Sequence, residues 1–336
     1  MCMIEEISEK KSWDLFLSLC KGHDFYHTWD FHALSQENGE GTPILFRVSG
    51  QGGGLIVPLL SREIHGTSYK DLTSVYGYPS PLIYGEVESA EIMGLWEKLI
   101  CFLREKGYVS LFSRLHPLLT PEPLQENIGN FCGKIVFINL RLSEKQQLSN
   151  YRKRCLTGIR SLERRNVLCC YDKVESCLQD FIKNYEATMR IVKAEDKYFF
   201  SKKYYFNLLE AKNFDARIYF CKYEKHVVCS GLFVFCNDFV QYHLGGTNPE
   251  FYKLSPTKLM FEKVRRDAVA EGKKYFILGG GLGSLEDSLF KFKAGFSKLT
   301  ADFHVTKLIL HQEIYEELSS GIPGISDFFP AYRQNG

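Results

Sequence analysis

The sequence has no apolar run long enough to cross a membrane as a helix, which takes about 20 consecutive apolar residues. Its first residues, MCMIEEISEKKSWDLF, bring acidic side chains early and contain no apolar core of the kind that a secretory signal peptide carries. The composition, 45% hydrophobic and 24% charged, is ordinary for a globular protein. These features predict a cytoplasmic protein without a transmembrane segment.

The chain also lacks a large excess of charge of either sign. Lysine and arginine together number 42 and aspartate and glutamate 40, so the formal net charge is only +2 at pH 7. Proteins that bind nucleic acid through its phosphates usually carry a clear excess of positive charge. The balance therefore predicts no DNA partner.

Neither metal-ligand spacing nor a redox motif is found among the cysteines. The chain has eleven cysteines, none of which forms a C-x-x-C pair, and their spacings are irregular. Most lie in apolar runs such as VLCCYD (167–172). Cysteines of this kind act as small buried hydrophobic residues in a reducing compartment. We expect all eleven to be reduced, and none to bind a metal.

The two common phosphate-binding motifs are absent from the most glycine-rich stretch, YFILGGGLGS (275–284). A P-loop needs a lysine and a hydroxyl residue directly after its last glycine, but here serine and leucine follow. The dinucleotide motif G-x-G-x-x-G needs a glycine where this chain has Ser284. The alternatives for Gly279, Gly280 and Gly281 are a tight turn from a strand to a helix or a ligand-facing loop.

A helix is predicted directly after these glycines. Ser284 is its expected N-cap, with Asp287 three residues later as an imperfect capping box. The apolar residues that follow at helical spacing form one stripe: Leu285, Leu289, Phe292 and Phe296. The stripe predicts that this face of the helix packs on the core.

Three lysines of the same helix differ in their position relative to the stripe. Lys291 and Lys298 fall on the opposite face, whereas Lys293 falls at the edge of the stripe. The stem of Lys293 is thus expected to pack beside the core. Its ammonium then faces either solvent, as in a snorkelling lysine, or a cleft.

The order of elements is clearest in the second half of the chain. Three strand patterns between residues 216 and 246 are joined by the short turns EK and ND, which predicts an antiparallel meander. A helix (255–272), a strand from residue 275, the lysine helix and a last strand (301–310) follow. We predict two domains, 1–142 and 143–336, without a flexible linker.

A strongly basic helix is predicted within residues 144–166. It carries six cations between residues 152 and 165, and only Glu163 offsets them in that run: Arg152, Lys153, Arg154, Arg160, Arg164 and Arg165. A solvated face is the usual outcome for such a run. Because Arg154 and Arg160 are too far apart around the helix to act closely together, we expect one of them to bind a substrate phosphate.

The order of elements and several short motifs resemble the Fem-type GNAT acyltransferases, a family that includes the peptidoglycan-bridge aminoacyltransferases. The motifs are DFYHTWDFHAL (24–34), DLTSVYGYPSP (71–81), GIRSLERRNV (158–167), YEATM (185–189), YHLGGT (242–247), SPTKLMFEKVRRDAVAEG (255–272), YFILGGG (275–281) and LFKFKAGF (289–296). The resemblance implies an α+β fold of two tandem GNAT-like domains, each a mostly antiparallel sheet flanked by helices.

The resemblance also implies roles for individual residues. Lys293 matches the lysine of the family's F-K-x-x-F element. A fixed cation there would stabilise the oxyanion that forms when an amine attacks an ester or thioester carbonyl. Phe292 would hold the lysine by packing, and the turn at Gly279, Gly280 and Gly281 would line the acyl-transfer cleft.

Two departures from the family pattern concern the donor. A GNAT enzyme that uses CoA usually has the motif Q/R-x-x-G-x-G/A, whose amides grip a pyrophosphate at a helix N-terminus. This chain has GGTNPEFYKLSPTK (245–258) instead. Several Fem enzymes carry a coiled-coil arm, and no sustained heptad repeat is found here. No resident cofactor is expected; the co-substrate is either aminoacyl-tRNA or acyl-CoA.

Three further residues are candidate substrate contacts, each with a structural alternative. Tyr76 and Tyr78 lie in a loop rich in tyrosine, glycine and proline, which is also typical of a structural corner. His243 lies in a strand pattern and is a candidate base or substrate contact. The alternative for His243 is a hydrogen-bonded histidine in the core.

Three functions follow from these features. The first is a Fem-like acyltransferase that moves an aminoacyl or acyl group onto an amine of a cell-envelope precursor, such as a peptidoglycan precursor, by direct attack. The second is an acyl-CoA-dependent N-acetyltransferase acting on a nucleotide sugar in surface polysaccharide synthesis. The third is a GNAT-like protein that binds such a precursor without catalysis.

Overall fold

A computed structural model of the protein describes residues 3–172, 175–320 and 328–334. The chain forms two compact units, one comprising Met1–Cys132 with Asp302–Gly336 and the other comprising Gly133–Ala301. Each unit is a mostly antiparallel sheet flanked by helices, so the predicted α+β class of two tandem GNAT-like domains is confirmed.

The first unit begins with six strands and four helices. The strands are β1 (Ile4–Ile7), β2 (Thr42–Ser49), β3 (Gly53–Glu63), β4 (Lys70–Thr73), β5 (Leu82–Gly85) and β6 (Tyr108–Arg114). The helices are α1 (Lys10–Ser18), α2 (Trp29–Glu37), α3 (Ser89–Glu105) and α4 (Glu122–Ile128). The strand order is β1-β2-β3-β4-β6, with β5 also on β3, and only β4 and β6 pair in parallel. Apolar residues of α3 pack on this sheet.

The second unit is organised in the same way. Its strands are β7 (Asn130–Asn139), β8 (Leu168–Asp172), β9 (Asp215–Tyr223), β10 (His226–Cys236), β11 (Phe239–Thr247) and β12 (Tyr275–Gly279). Its helices are α5 (Glu144–Ser149), α6 (Lys153–Arg164), α7 (Glu175–Ile191), α8 (Lys202–Glu210), α9 (Thr257–Ala270) and α10 (Ser288–Lys293). The strand order is β7-β12-β11-β10-β9-β8, and only β11 and β12 pair in parallel. The predicted meander, β9 to β11, is confirmed.

The end of the chain returns to the first unit. Strand β13 (Thr300–Ile309) pairs antiparallel with β6 from Val305 to Ile309, and helix α11 (Gln312–Ser319) follows it. The division therefore differs from the predicted domains 1–142 and 143–336. The last strand completes the sheet of the first unit, and β7 before residue 142 belongs with the second.

The helix after the glycines is shorter than predicted. Helix α10 begins at Ser288, and its N-cap is Asp287, whose Oδ1 accepts from the Phe290 amide at 2.9 Å. The prediction that Ser284 caps this helix is wrong. Gly283 and Ser284 have φ angles of 58° and 65°, which are left-handed, so the helix cannot begin there.

The predicted apolar stripe is also only partly correct. Leu285 and Leu289 are 67% and 36% exposed, whereas Phe296 is buried. Phe290 is buried instead, because the helix starts later and rotates a different set of residues inward. Lys291 on α10 is exposed, as predicted. Lys298 is exposed too, but it lies beyond the end of α10 at Lys293 and therefore not on the predicted face of that helix.

A buried ion pair joins helices of the second unit. Arg265 and Glu262 on α9 are 1% and 2% exposed, and two Arg265 nitrogens donate to the two Glu262 oxygens at 3.0 and 2.8 Å. Arg265 also donates to Gln147 on α5 at 2.9 Å. Tyr151 donates to Glu262 at 2.8 Å. Burial alone raises the pKa of Glu262, but hydrogen bonds and charge from Arg265 outweigh it and lower that pKa.

Two properties of the described residues concern membranes and metals. Nowhere in these ranges does a helix combine the length and the apolar character that a membrane crossing requires. Histidine, cysteine and acidic side chains of the described residues form no group of three that could hold a metal ion. The ten cysteines within the described ranges form no disulfide with one another.

Candidate acyl-transfer site

The candidate site lies where two parallel strands of the second unit separate. Strands β11 and β12 pair in register only as far as Gln241 and Ile277, although β11 continues to Thr247. The register of β11 against β10 shifts in the same region, so that His243 is the extra residue of a bulge between Tyr242 and Leu244. Separated parallel strands and bulges are both common at ligand sites, because they leave backbone groups and side chains accessible.

Lys293 places its ammonium beside this separation. Its Nζ donates to the Gly280 carbonyl at 2.6 Å, directly after the end of β12, and lies 5.8 Å from the ring centroid of Tyr242 on β11. Lys293 is only 7% exposed, so it is not a snorkelling surface lysine. Burial lowers its pKa to about 8, although the charge of Asp287 opposes that shift.

The glycines are needed for the backbone of this turn. Gly279 has φ 80°, a left-handed conformation. A Cβ on Gly281 would lie 2.1 Å from the Leu285 carbonyl oxygen and 2.2 Å from Asp287 Oδ1, closer than real Cβ atoms approach. The connection is longer than the predicted tight strand-to-helix turn, because residues 280–287 separate the end of β12 from the start of α10. The same turn presents the Gly280 carbonyl to Lys293, so it also forms part of the candidate site.

Phe292 is next to Lys293 on α10 and packs into the core. Its ring centroid lies 5.9 Å from that of Phe261 on α9 and 5.6 Å from that of Phe296. Phe261 and Phe296 are fully buried. This packing fixes α10 against α9, which is consistent with the predicted positioning role of Phe292.

Tyr204 on α8 and His243 on β11 form a hydrogen-bonded pair. The His243 Nε2 lies 3.3 Å from the Tyr204 hydroxyl oxygen. Burial lowers the pKa of His243 to about 4, so its imidazole is neutral at pH 7. A base of such low pKa removes protons weakly from an alkylammonium, which favours a positioning role over the catalytic alternative.

The two predicted phosphate-binding arginines, Arg154 and Arg160, are both exposed on α6. Arg160 lines a shallow surface depression together with Thr157, Glu163 and Arg164. Glu163 forms an ion pair with Arg266 on α9 at 3.1 Å. Glu163, the acidic residue of α6, is thus paired with Arg266 on α9. It therefore does not neutralise the positive charge around Arg160.

Tyr76 and Tyr78 belong to the first unit. Tyr76 is 49% exposed, with the Arg114 guanidinium 5.7 Å from its ring centroid. Tyr78 packs edge to face on Tyr26 and Phe303, at centroid distances of 5.6 and 5.3 Å. Burial raises the pKa of the Tyr78 hydroxyl. Tyr78 therefore fits the structural alternative, and Tyr76 keeps an accessible ring.

Tyr242 is a residue of the site that the sequence does not indicate, and Asp287 has a different role from the one predicted for it. Tyr242 provides the ring face beside Lys293, and Asp287 both caps α10 and accepts from the Leu282 amide at 3.3 Å. The position of Asp287 before a helix was a usable signal for its cap. Tyr242 is recognisable in the sequence only as a strand residue next to His243, and nothing there indicates its contact with Lys293 on α10.

One family model matches part of the second unit. Residues 149–291 match the family model described as "Acetyltransferase (GNAT) domain", which spans the second unit from the end of α5 to α10. A comparison with curated proteins finds no match. The matched range includes most of the site described above and ends two residues before Lys293.

Solved structures extend the likeness over nearly the whole chain. FemX shares 13% identity, with a TM-score of 0.72 over 93% of this chain and 99% of that chain. L-PGS from Bacillus licheniformis shares 11% identity, with a TM-score of 0.56 over 90% and 93%. A tandem GNAT protein from the clavulanic acid biosynthesis pathway shares 9%, with a TM-score of 0.50 over 93% and 99%. The predicted resemblance to Fem-type GNAT acyltransferases is confirmed in the fold.

Proposed function

We propose that the protein is a Fem-like acyltransferase that transfers an aminoacyl or acyl group to an amine of a cell-envelope precursor, such as a peptidoglycan precursor, in the cytoplasm. The observation that carries this proposal is the buried ammonium of Lys293 beside the separation of β11 and β12. A cation fixed in a water-poor site stabilises negative charge far more than one in bulk water. The fold shared with FemX and with lysylphosphatidylglycerol synthetases supports transfer of an aminoacyl group.

The proposed reaction is direct attack without a covalent intermediate on the protein. The amine nitrogen of the acceptor forms a bond to the donor carbonyl carbon, and the carbonyl oxygen becomes an oxyanion that Lys293 stabilises. Collapse of this intermediate breaks the ester or thioester bond and releases an alcohol or a thiol. The proton lost by the amine goes to the leaving group or to solvent. No step needs a metal or a resident cofactor.

The start of α9 supports a donor other than CoA. A pyrophosphate at a helix N-terminus is held by free backbone amides. Here Pro256 has no amide hydrogen, the Lys258 amide donates to the Ser255 carbonyl at 3.2 Å, and the Leu259 amide donates to the Pro256 carbonyl at 3.0 Å. These internal hydrogen bonds use amide donors that a pyrophosphate would need. Like the absence of the CoA motif from the sequence, they argue against CoA as the donor. We therefore favour aminoacyl-tRNA over acyl-CoA.

A ligand screen tests the proposal. Thermal unfolding of the full chain would be measured with acetyl-CoA, aminoacyl-tRNA analogues and UDP-sugars. A ligand at 100 times its dissociation constant stabilises by about 2.7 kcal/mol, which shifts the melting temperature measurably. Amide products would then be sought by mass spectrometry. Stabilisation by acetyl-CoA and a UDP-sugar would favour the nucleotide-sugar N-acetyltransferase instead, and binding without turnover of any pair would favour the non-catalytic alternative.

Replacing Arg160 with alanine should weaken the binding of the phosphate-bearing substrate at least about tenfold. The reason is that a hydrogen bond to a charged group contributes about 1.5–3 kcal/mol, and Arg160 is one of the two arginines, with Arg164, that line the depression on α6. The measurement is titration calorimetry with the ligand from the screen. Arg165→Ala, which removes an exposed cation from the end of the same helix, is the matched control. Equal affinity for both variants and the wild type would mean that α6 is a solvated face.

A further inference from the structure

Three cations of α6 form one exposed line along the helix. Lys153, Arg160 and Arg164 are spaced so that, at about 100° per residue, they lie within about 40° of one another and span about 16 Å. All three side chains are exposed. The Arg164 Nε donates to the Arg160 carbonyl at 3.3 Å, which directs this guanidinium back along the helix toward Arg160. These three residues are called the basic stripe below.

The charge of the basic stripe is not neutralised by the side chains around it. Across the part of the chain that the structure describes, none of its three members forms an ion pair. Glu163 lies next to the stripe, but it pairs with Arg266 on α9 at 3.1 Å. The buried Glu262 of α9 pairs with Arg265 and Arg266. Because these two glutamates and two arginines carry no net charge together, the charge of the stripe remains in excess.

The exposed side of α6 is polar throughout. Its exposed members are Lys153, Arg154, Thr157, Arg160, Glu163 and Arg164. Its apolar residues Cys155, Ile159 and Leu162 are buried in the core of the second unit. A helix that docks on a bilayer instead offers large apolar side chains to the lipid. Arginine binds phosphate with two parallel hydrogen bonds, so the exposed side of α6 fits a phosphate backbone better than a lipid surface.

We propose that the basic stripe docks on the sugar–phosphate backbone of a base-paired RNA stem. The inference rests on the proposed function and deepens it, because that function favours a donor whose aminoacyl group is attached to RNA. Contacts with phosphates fix the position of a nucleic acid without reading its sequence. A duplex carries phosphates every few ångströms along its axis, so a line of cations about 16 Å long can contact several of them.

The small net charge of the chain does not oppose such docking. The whole chain carries only +2, but the six cations between residues 152 and 165 are concentrated on one helix and its two ends. The salt-dependent part of the binding free energy depends on how many phosphates are contacted, and therefore on the cations at the contact.

Binding of RNA at several salt concentrations tests this inference. The probe is a short fluorescent RNA duplex that carries no amino acid, and its affinity for the full chain is measured by anisotropy. The logarithm of the affinity falls linearly with the logarithm of the salt concentration, with a slope of about 0.9 per phosphate contact. Each of Lys153→Ala, Arg160→Ala and Arg164→Ala should therefore lower that slope by about 0.9 and weaken binding about eightfold at about 0.1 M salt. The triple variant should lose at least about a hundredfold.

Two control variants separate the stripe from positive charge in general. Arg165→Ala removes an exposed cation that lies about 140° around the helix from Arg160, and it should leave the slope unchanged. Arg160→Lys keeps the charge and loses the planar fork, so it should keep the slope and lose less affinity than Arg160→Ala. Because the replaced side chains are exposed, these variants should melt like the wild type, and the single variants suffice if the triple variant does not fold.

Three results would overturn the inference. The first is wild-type RNA affinity in the stripe variants, or no binding of RNA by the wild type. The second is an equal loss for Arg165→Ala, which would mean that the attraction is not specific to the stripe. The third is binding to vesicles of phosphatidylcholine and phosphatidylglycerol that the stripe variants lose while RNA binding stays, which would assign the stripe to a membrane. RNA binding through the stripe without aminoacyl transfer would support this inference and contradict the proposed function alone.

Discussion

Replacing Lys293 with alanine should lower turnover by about 10²–10³, the loss typical of removing one oxyanion donor. The ammonium is buried, held by the Gly280 carbonyl at 2.6 Å, and lies beside the separation of β11 and β12. Its effect on a developing negative charge is therefore little screened by water. Arginine should rescue poorly, because a planar guanidinium places its charge differently from a compact ammonium. The measurement is turnover on the donor and acceptor that the ligand screen identifies.

The matched control for Lys293 is Lys298, an exposed lysine five residues later. Lys298→Ala should be nearly silent. Lys293→Met separates catalysis from folding, because it keeps the volume and removes the charge. Since burial disfavours the charged lysine, the methionine variant should be at least as stable as the wild type at pH 7 while losing activity. A fall in both stability and turnover would identify Lys293 as a structural residue.

The pH dependence supplies a second readout. The pKa of Lys293 is lowered to about 8, so the lysine is mostly protonated at pH 7 and loses its charge as the pH rises through about 8. The ratio of wild-type to Lys293→Met turnover should therefore shrink above that pH. Ionisation of the acceptor amine affects both proteins equally and cancels in the ratio. A constant ratio between pH 7 and about pH 9 would contradict a role for the charge.

The sequence allowed Lys293 to be predicted but not its surroundings. The F-K-x-x-F match and the glycines before it pointed to this lysine. The helical periodicity from Leu285 to Phe296, however, assumed that the helix began near Ser284. The left-handed φ angles of Gly283 and Ser284 delay it to Ser288, and this delay exposes the leucines. The left-handed turn at these residues depends on close contacts, such as that between Gly281 and Asp287. The helical spacing of apolar residues contains no information about such contacts.

The division into units shows a similar limit. The last strand, 301–310, is predicted correctly as a strand, because its apolar pattern is local. Which sheet each strand joins depends on pairing between residues far apart in the chain, such as Val305 with Arg114. A pattern with a period of two residues does not carry that information. The predicted second domain, 143–336, therefore includes β13, whereas this strand pairs with β6 of the first unit.

Replacing Arg265 with alanine should lower the free energy of unfolding by about 3–5 kcal/mol, the range for removing one partner of a buried ion pair. The arginine is 1% exposed, and its loss leaves the buried carboxylate of Glu262 with weaker compensation and the Gln147 side chain without its donor. Urea unfolding of the full chain at pH 7 measures the change. Arg266→Ala is the matched control. Arg266 donates to the same Glu262 at 2.8 Å but is 49% exposed, so its loss should cost at most about 1 kcal/mol.

The same pair predicts how the effect of Arg265→Ala depends on pH. In the wild type the pKa of Glu262 is lowered, so its ionised form contributes stability above its ordinary pKa, and that contribution is lost as the pH falls through the lowered value. Without Arg265, burial of Glu262 is opposed by Tyr151 and Arg266 but no longer by its strongest partner, so the pKa of this carboxyl is lowered less and protonation relieves a less compensated charge. The stability difference between Arg265→Ala and the wild type should therefore shrink between pH 7 and about pH 4. A difference that stays constant over this range would mean that the loss comes from packing of the arginine side chain and not from its charge.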